Sequence, residues 1–241
     1  MSPTDRTAIV TGAGSGIGRA IALQLAREGA AVAAADLNAP AAEATSAAVA
    51  ALDRARLALP VDVVKRDQVQ AMAERVRAEW GRIDILVACA GIYPRTLIVD
   101  LTEEEWDRVI AIHLKGTFLC CQAVLPAMMA QRSGRIVTTV SGLAAAGAPR
   151  SAAYAAAKGG IISFTRVLAK EAEPYGITVN AFGPGPSDTP MVAMNHTPEE
   201  VEEMRRRAPF GRLPKAEQSA ELAVWFTRPE TAHITGRIFV Q

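Results

Sequence analysis

The feature that most limits how this chain can fold is an apolar run feeding directly into a glycine-rich turn. Thr7-Ala-Ile-Val10 is followed by Thr11-Gly12-Ala13-Gly14-Ser15-Gly16-Ile17-Gly18, and then by the helical pattern Ala20-Ile21-Ala22-Leu23-Gln24-Leu25. That order specifies a strand, a tight turn and a helix. Glycines admit positive φ and close approach of a ligand, while the helix start offers free N–H groups and about half a positive charge. Such a turn stabilises a pyrophosphate, although the same pattern also makes a plain βα connection with no ligand.

The alternation of short apolar runs with amphipathic stretches continues to the end of the chain, which is the pattern of repeated βα units around a parallel sheet. Strands are expected near Thr7–Val10, Ala31–Ala35, Arg56–Leu59, Ile83–Ala88, Gly134–Val140, Thr178–Phe182 and Arg237–Val240. Helices are expected near 16–28, 39–52, 67–80, 102–131, 151–174 and 215–227, with a looser helical insertion over 187–210. Capping boxes at Thr102-Glu-Glu-Glu105 and Thr197-Pro198-Glu199-Glu200 mark two of the helix starts. The chain has 241 residues, no long linker and an even spread of apolar residues, so residues 1–241 are read as one domain.

Composition narrows the function classes. Half of the residues are hydrophobic but only 5% are aromatic, which suits an aliphatic sheet core and lacks stacking platforms for nucleic-acid bases. Twenty-six basic residues against 25 acidic ones leave a net charge of +1, giving no electrostatic reason to expect a nucleic-acid or membrane partner. The one basic cluster, Arg205-Arg206-Arg207, follows Glu199, Glu200, Glu202 and Glu203 and reads as a salt-bridged face. Cys89, Cys120 and Cys121 lack CxxC spacing, which argues against a disulfide framework or a zinc site. No basic leader with an apolar core opens the chain, and no run of about 18 apolar residues interrupts it. A cytoplasmic location is expected, and no metal.

Three further features bear on chemistry. The second strand ends at Asp36, where an acidic side chain can accept hydrogen bonds from ribose hydroxyls and would repel a 2′-phosphate. Neither Leu37, Ala13 nor Ser15 is basic, so NAD is preferred over NADP. Tyr154-Ala-Ala-Ala-Lys158 places a phenol and an ammonium one helical turn apart, an arrangement in which the cation favours the phenolate. Ser141 stands at the C-terminal end of the fifth strand, on the side where ligands bind in open α/β sheets.

Taken together, Thr11-Gly-x-x-x-Gly-Ile-Gly18, Asp62-Val63, Ala90-Gly91, Ser141, Tyr154-x-x-x-Lys158 and Asn180-Ala-x-x-Pro184-Gly185-x-x-x-Thr189-Pro190 resemble the short-chain dehydrogenase/reductase family in its single-domain branch. The resemblance covers nearly the whole chain. It implies a Rossmann-type, doubly wound α/β sheet of seven mainly parallel strands with helices on both faces. It also implies that Tyr154 exchanges a proton with the alcohol or carbonyl oxygen, that Ser141 bonds the same oxygen, and that Lys158 binds the nicotinamide ribose and depresses the tyrosine pKa. Gly12, Ser15, Gly16, Ile17 and Gly18 would carry the pyrophosphate turn, Asp36 and Leu37 the adenosine ribose, and Asp62 and Val63 the adenine. Ala90 and Gly91 would meet the ribose side, and Pro184, Gly185 and Thr189 the nicotinamide end. A substrate lid is implied over about 186–210. Tyr93, Leu143, Arg150, Phe182, Pro186 and Met191 are candidate substrate residues, mostly apolar, with Arg150 leaning to solvent.

The chain departs from the family pattern in three places. Ala88-Cys89-Ala90-Gly91 stands where Asn-Asn-Ala-Gly is common, and the final strand lacks an Asp-Gly-Gly tail, which puts in doubt any subunit contact made there. His113 replaces an asparagine of the fifth helix whose backbone carbonyl holds a relay water. A backbone carbonyl survives the change, and the imidazole itself, which can titrate near neutral pH, is a catalytic candidate for the relay, with a satisfied structural histidine as the equal alternative. The expected activity is an NAD-dependent interconversion of a small-molecule secondary alcohol and a ketone in a homotetramer or homodimer. An NADPH-dependent 3-oxoacyl reductase and a non-catalytic nucleotide-binding relative are the alternatives.

Overall fold

Along β1 (Thr7–Thr11) successive side chains enter two different cores. Ala8 and Val10 pack with Ile21, Leu25 and Val32 on one face of the sheet, and Ile9 packs with Ala33, Val69 and Leu86 on the other. Successive strand residues point to opposite faces, so a strand apolar at every position has to be covered on both. A computed structural model describes residues 6–241 and shows how this is done. Met1–Asp5, part of the segment read for a leader, lie outside the described residues.

After β1 come α1 (Gly16–Arg27), β2 (Ala31–Asp36), α2 (Ala39–Ala50), β3 (Arg56–Pro60), α3 (Arg66–Trp80) and β4 (Ile85–Ala88). Then α4 (Glu103–Ile110) passes through a π-turn, Ala111–Lys115, into α5 (Gly116–Gln131) and β5 (Gly134–Thr139). The chain continues through α6 (Leu143–Ala146), α7 (Ala152–Ala172), β6 (Ile177–Gly183), α8 (Pro190–Asn195), α9 (Pro198–Arg207), α10 (Ala216–Trp225) and β7 (Ile238–Val240). The strands form one sheet in the order β3-β2-β1-β4-β5-β6-β7, parallel at every pairing. Buried residues of α1, α2 and α10 cover one face, and those of α3, α5 and α7 the other. Small side chains such as Ala22, Ala26, Ala220 and Ala223 are fully buried where α1 packs on α10.

The doubly wound arrangement agrees with the sequence expectation, with two refinements. The expected continuous helix over 102–131 is interrupted by the π-turn, in which the Gly116 N–H reaches back five residues to the Ala111 carbonyl. The insertion over 187–210 contains two helices, and the second starts on a complete capping box between Thr197 and Glu200. At Thr102 only half of such a box forms, the side chain accepting from Glu105 N–H at 3.2 Å. Arg205, Arg206 and Arg207 pair with Glu202 and Glu203 along α9, as expected of a solvated face.

The run Glu103–Gln131 is long and apolar enough by composition to cross a membrane. Its Leu119, Cys120, Cys121, Val124 and Met128 are instead buried against the sheet. Because β1 lies between β2 and β4, the connections leaving its neighbours run in opposite directions and open a crevice at the C-terminal edge.

Candidate active site

The C-terminal ends of β1, β4, β5 and β6 share that edge, and a cleft of about 260 Å³ opens over it. Gly12, Ser15, Gly16, Ile17, Gly18 and Asp36 line one end; His113, Tyr154, Lys158, Pro184, Thr189 and Met191 line the other.

At the first end the glycine turn is shaped by close packing. A Cβ on Gly12, whose φ is +67°, would stand 2.8 Å from Ala90 Cα, and one on Gly18 would stand 2.0 Å from the Gly12 carbonyl oxygen. Gly16 also has positive φ, and a side chain there would be built toward Thr189, 3.6 Å away across the cleft. The turn is thus a cradle that any other residue would fill, with the α1 N-terminus facing into it. Asp36 closes this end. Its carboxylate accepts from Gly14 N–H at 2.8 Å and from Asn38 N–H at 2.9 Å, which aims it at the turn and leaves acceptor capacity unspent.

At the other end α7 delivers Tyr154 and Lys158. Lys158 is buried, and its Nζ donates to the Thr139 carbonyl at 2.8 Å and lies 5.4 Å from the centre of the Tyr154 ring. Burial lowers its pKa to about 8. Burial acts oppositely on the phenol, pushing Tyr154 up to about 12 against a hydrogen bond from Ser141 that favours the phenolate. Desolvation therefore outweighs the Ser141 hydrogen bond, so the expected depression of the tyrosine pKa is corrected to a rise, and the phenol is protonated at neutral pH. An O–H donor, a serine hydroxyl and a fixed cation together suit proton delivery to a substrate oxygen.

His113 sits within the π-turn and is 99% buried, being 1% exposed. Its Nε2 lies 2.7 Å from the Ile92 carbonyl and 3.1 Å from the Ile92 N–H, donating to the first or accepting from the second according to tautomer, while Nδ1 is buried without a partner among the described residues. The ring meets the Tyr154 ring edge-on with centroids 5.2 Å apart. Burial, and after it the Lys158 charge, lower its pKa to about 3. The expected titration near neutral pH is thereby corrected: this imidazole is neutral throughout the physiological range.

A family described as enoyl-(acyl carrier protein) reductase matches residues 12–241. The chain is 38% identical to a 3-oxoacyl-(acyl-carrier-protein) reductase of Thermotoga maritima over 99% of its length and 96% of the relative's. It is 41% identical to a cis-4-hydroxycyclohexanecarboxylate dehydrogenase of Sinomonas cyclohexanicum, over 97% and 94%. The chain belongs to the short-chain dehydrogenase/reductase family. A Brucella melitensis 3-ketoacyl-(acyl-carrier-protein) reductase, solved with NADH, superposes with a TM-score of 0.91 at 30% identity, covering 98% of this chain and 96% of that one.

In this short-chain dehydrogenase/reductase not every residue anticipated from the sequence reaches the cleft. Phe182 is fully buried in the core beneath α1 and α10, because its place on β6 points it away from the substrate side. Arg150 is exposed, with φ at +65° in the loop before α7. Leu37 is 74% exposed. Asp62 accepts from Val64 N–H at 3.1 Å, and Val63 beside it is buried. Leu143 lies in the short α6, its N–H donating to Ser141 Oγ at 3.2 Å. Gly185 and Pro186 line a second, more apolar cavity of about 650 Å³ with Met204, Leu213 and Pro214. That cavity holds none of Ser141, Tyr154 and Lys158, so size alone does not mark the chemistry.

Other contributors went unread. Thr11 Oγ1 accepts from the N–H groups of Cys89 and Ala90 at 3.1 and 3.3 Å, tying β1 to the loop after β4. Thr139 anchors Lys158 through its carbonyl, a contact no side-chain pattern reveals. Tyr93, anticipated as a substrate residue, packs tilted against Tyr154 with centroids 4.6 Å apart and bonds Ser151 at 2.8 Å, just before α7.

Proposed function

We propose that this chain interconverts a secondary alcohol and a ketone with NAD(H) as cofactor, residues 1–241 forming one domain with a lid over about 186–210. The observation supporting this most is the meeting of Tyr154, Lys158 and the glycine turn in one cleft with Asp36 at its far end. Gly12, Ser15, Gly16, Ile17 and Gly18 hold the pyrophosphate, Asp36 and Leu37 the adenosine ribose, Asp62 and Val63 the adenine. Ala90, Gly91 and Lys158 meet the nicotinamide riboside, and Pro184, Gly185 and Thr189 its far side. When bound, the nicotinamide supplies or takes up the hydride.

In the reducing direction Tyr154 donates its phenolic proton to the carbonyl oxygen, and Ser141 bonds that oxygen as negative charge develops on it. The phenolate left behind is stabilised by the Lys158 ammonium; in the oxidising direction the same phenolate accepts the alcohol proton. Tyr93, Leu143 and Met191 border the substrate, with Pro186 at the lid hinge. Asp36 directs the choice of cofactor, since its carboxylate would repel a 2′-phosphate. The partners are small molecules, with no nucleic acid or membrane, in a cytoplasmic homotetramer or homodimer formed through α5 and α7, whose Phe118 and Val167 are exposed.

A second reading, an NADPH-dependent 3-oxoacyl reductase, draws support from the Thermotoga relative. Nicotinamide absorbance followed with NADH and NADPH across ketones, alcohols and a 3-oxoacyl thioester separates the two. Turnover with NADH on ketones and its loss in Tyr154→Phe are expected. Preference for NADPH with the thioester would replace the first reading by the second, and equal turnover in Tyr154→Phe would overturn the chemistry of both.

A further inference from the structure

Both helices of the lid meet one side chain of the loop after β4. Arg95, in the loop after β4, reaches across to Glu200 of α9 with two N–H···O bonds, 2.6 and 3.0 Å, and gives a third at 3.0 Å to the Asn195 carbonyl at the end of α8. Both lid helices are therefore gripped by a single guanidinium. The pairing is bidentate, the geometry in which an arginine–carboxylate contact is strongest, and Arg95 is only 20% exposed, unlike the open pairs along α9. Glu200 serves twice, because the same carboxylate completes the capping box with Thr197.

A second contact runs parallel to the first. His196, between the two lid helices, lies against Tyr93 with centroids 5.9 Å apart, and Tyr93 packs in turn, tilted, against Tyr154. The loop that holds Arg95 thus carries, two residues earlier, the ring that joins the lid to the phenol.

We propose that Arg95 is a positioning residue that latches the lid through Glu200 and the Asn195 carbonyl, setting His196 against the Tyr93–Tyr154 ring pair and so the height of the lid above the reacting atoms. This rests on the function proposed above, but its first test does not. Arg205, Arg206 and Arg207 make the lid a substrate for trypsin, with Arg212 just past its end, and limited proteolysis of the protein without added cofactor reads lid opening directly.

Arg95→Met is expected to speed cleavage between residues 205 and 212 about tenfold, with thermal unfolding unchanged within two degrees. Glu200→Gln keeps an N3 capping side chain and removes only the charge, and is expected to fall between wild type and Arg95→Met. In turnover assays Arg95→Met raises the substrate KM about tenfold and changes kcat less than twofold, because Ser141, Tyr154 and Lys158 are untouched. Arg95→Lys, retaining one charged donor, recovers part of the KM. Unchanged lid cleavage in Arg95→Met overturns the latch, and so does a rise matched by equal cleavage elsewhere, which would report general unfolding. Absence of turnover with either nicotinamide cofactor would defeat the proposed function yet leave the proteolysis result standing.

Discussion

The His113 ring lies so close to Gly91 that a methyl group on the glycine would stand 2.4 Å from Cε1 of the imidazole. The glycine after β4 is thus required by the histidine of the π-turn rather than by an unusual backbone angle of its own. Gly91→Ala should destabilise the protein by about 1–3 kcal/mol, the usual cost of overpacking a filled core. Adding His113→Ala should return most of that loss, giving a favourable coupling in a double-mutant cycle measured by urea unfolding. Additive losses would mean the ring is free to move aside.

His113 also makes stability depend on acid. Its folded pKa of about 3 lies below the ordinary histidine value of 6.5, so the unfolded chain binds more protons throughout that window. Its contribution is complete above pH 6.5 and declines as pH falls toward 3, by about 2 kcal/mol on reaching pH 5. His113→Asn should flatten this limb relative to wild type, whatever its absolute stability. Urea midpoints at pH 7, 6 and 5 check the slope.

Asp36 should govern the choice between cofactors. Asp36→Asn removes the charge facing the 2′ position while keeping a side-chain oxygen that can accept from Gly14 N–H, and should lower kcat/KM for NADH and raise it for NADPH, shifting the ratio by about 10²-fold. An unchanged ratio would show that selectivity resides elsewhere.

Lys158→Met exchanges the buried ammonium for a neutral chain of similar length. Loss of the cation beside the phenol should lower kcat/KM by about 10²–10⁴-fold. Weakened NADH binding, followed by fluorescence, should accompany it if the ammonium also holds the ribose. A loss in kcat alone would confine Lys158 to proton transfer.

Much of this was legible in the sequence. The order strand, glycines, helix defined the first βα unit, and the spacing of Tyr154, Lys158 and Ser141 placed three polar groups at one end of the sheet. What escaped were contacts through the backbone and contacts whose partners lie far apart in the chain. Thr139 holds Lys158 by a carbonyl, and Arg95 meets Glu200 across 105 residues. Phe182 was misread because β6 is buried on both faces, so alternation does not reveal which side chains face the cleft. The tyrosine pKa rises because burial, its largest cause, is invisible in spacing and outweighs the Ser141 hydrogen bond.

The π-turn at Ala111–Lys115 has a consequence for phase. Each residue advances a helix by about 100°, and one additional residue in a single turn offsets everything after it by that angle. The offset lets α4 face α7 while α5 presents Leu119, Cys120 and Val124 to the sheet. Removing one residue between Ala111 and Lys115 would restore a regular helix and swing one of these stripes about a quarter-turn off its partner. In this stretch the number of residues is as much a part of the active-site design as their identity, and shortening it should be worse tolerated than most single replacements.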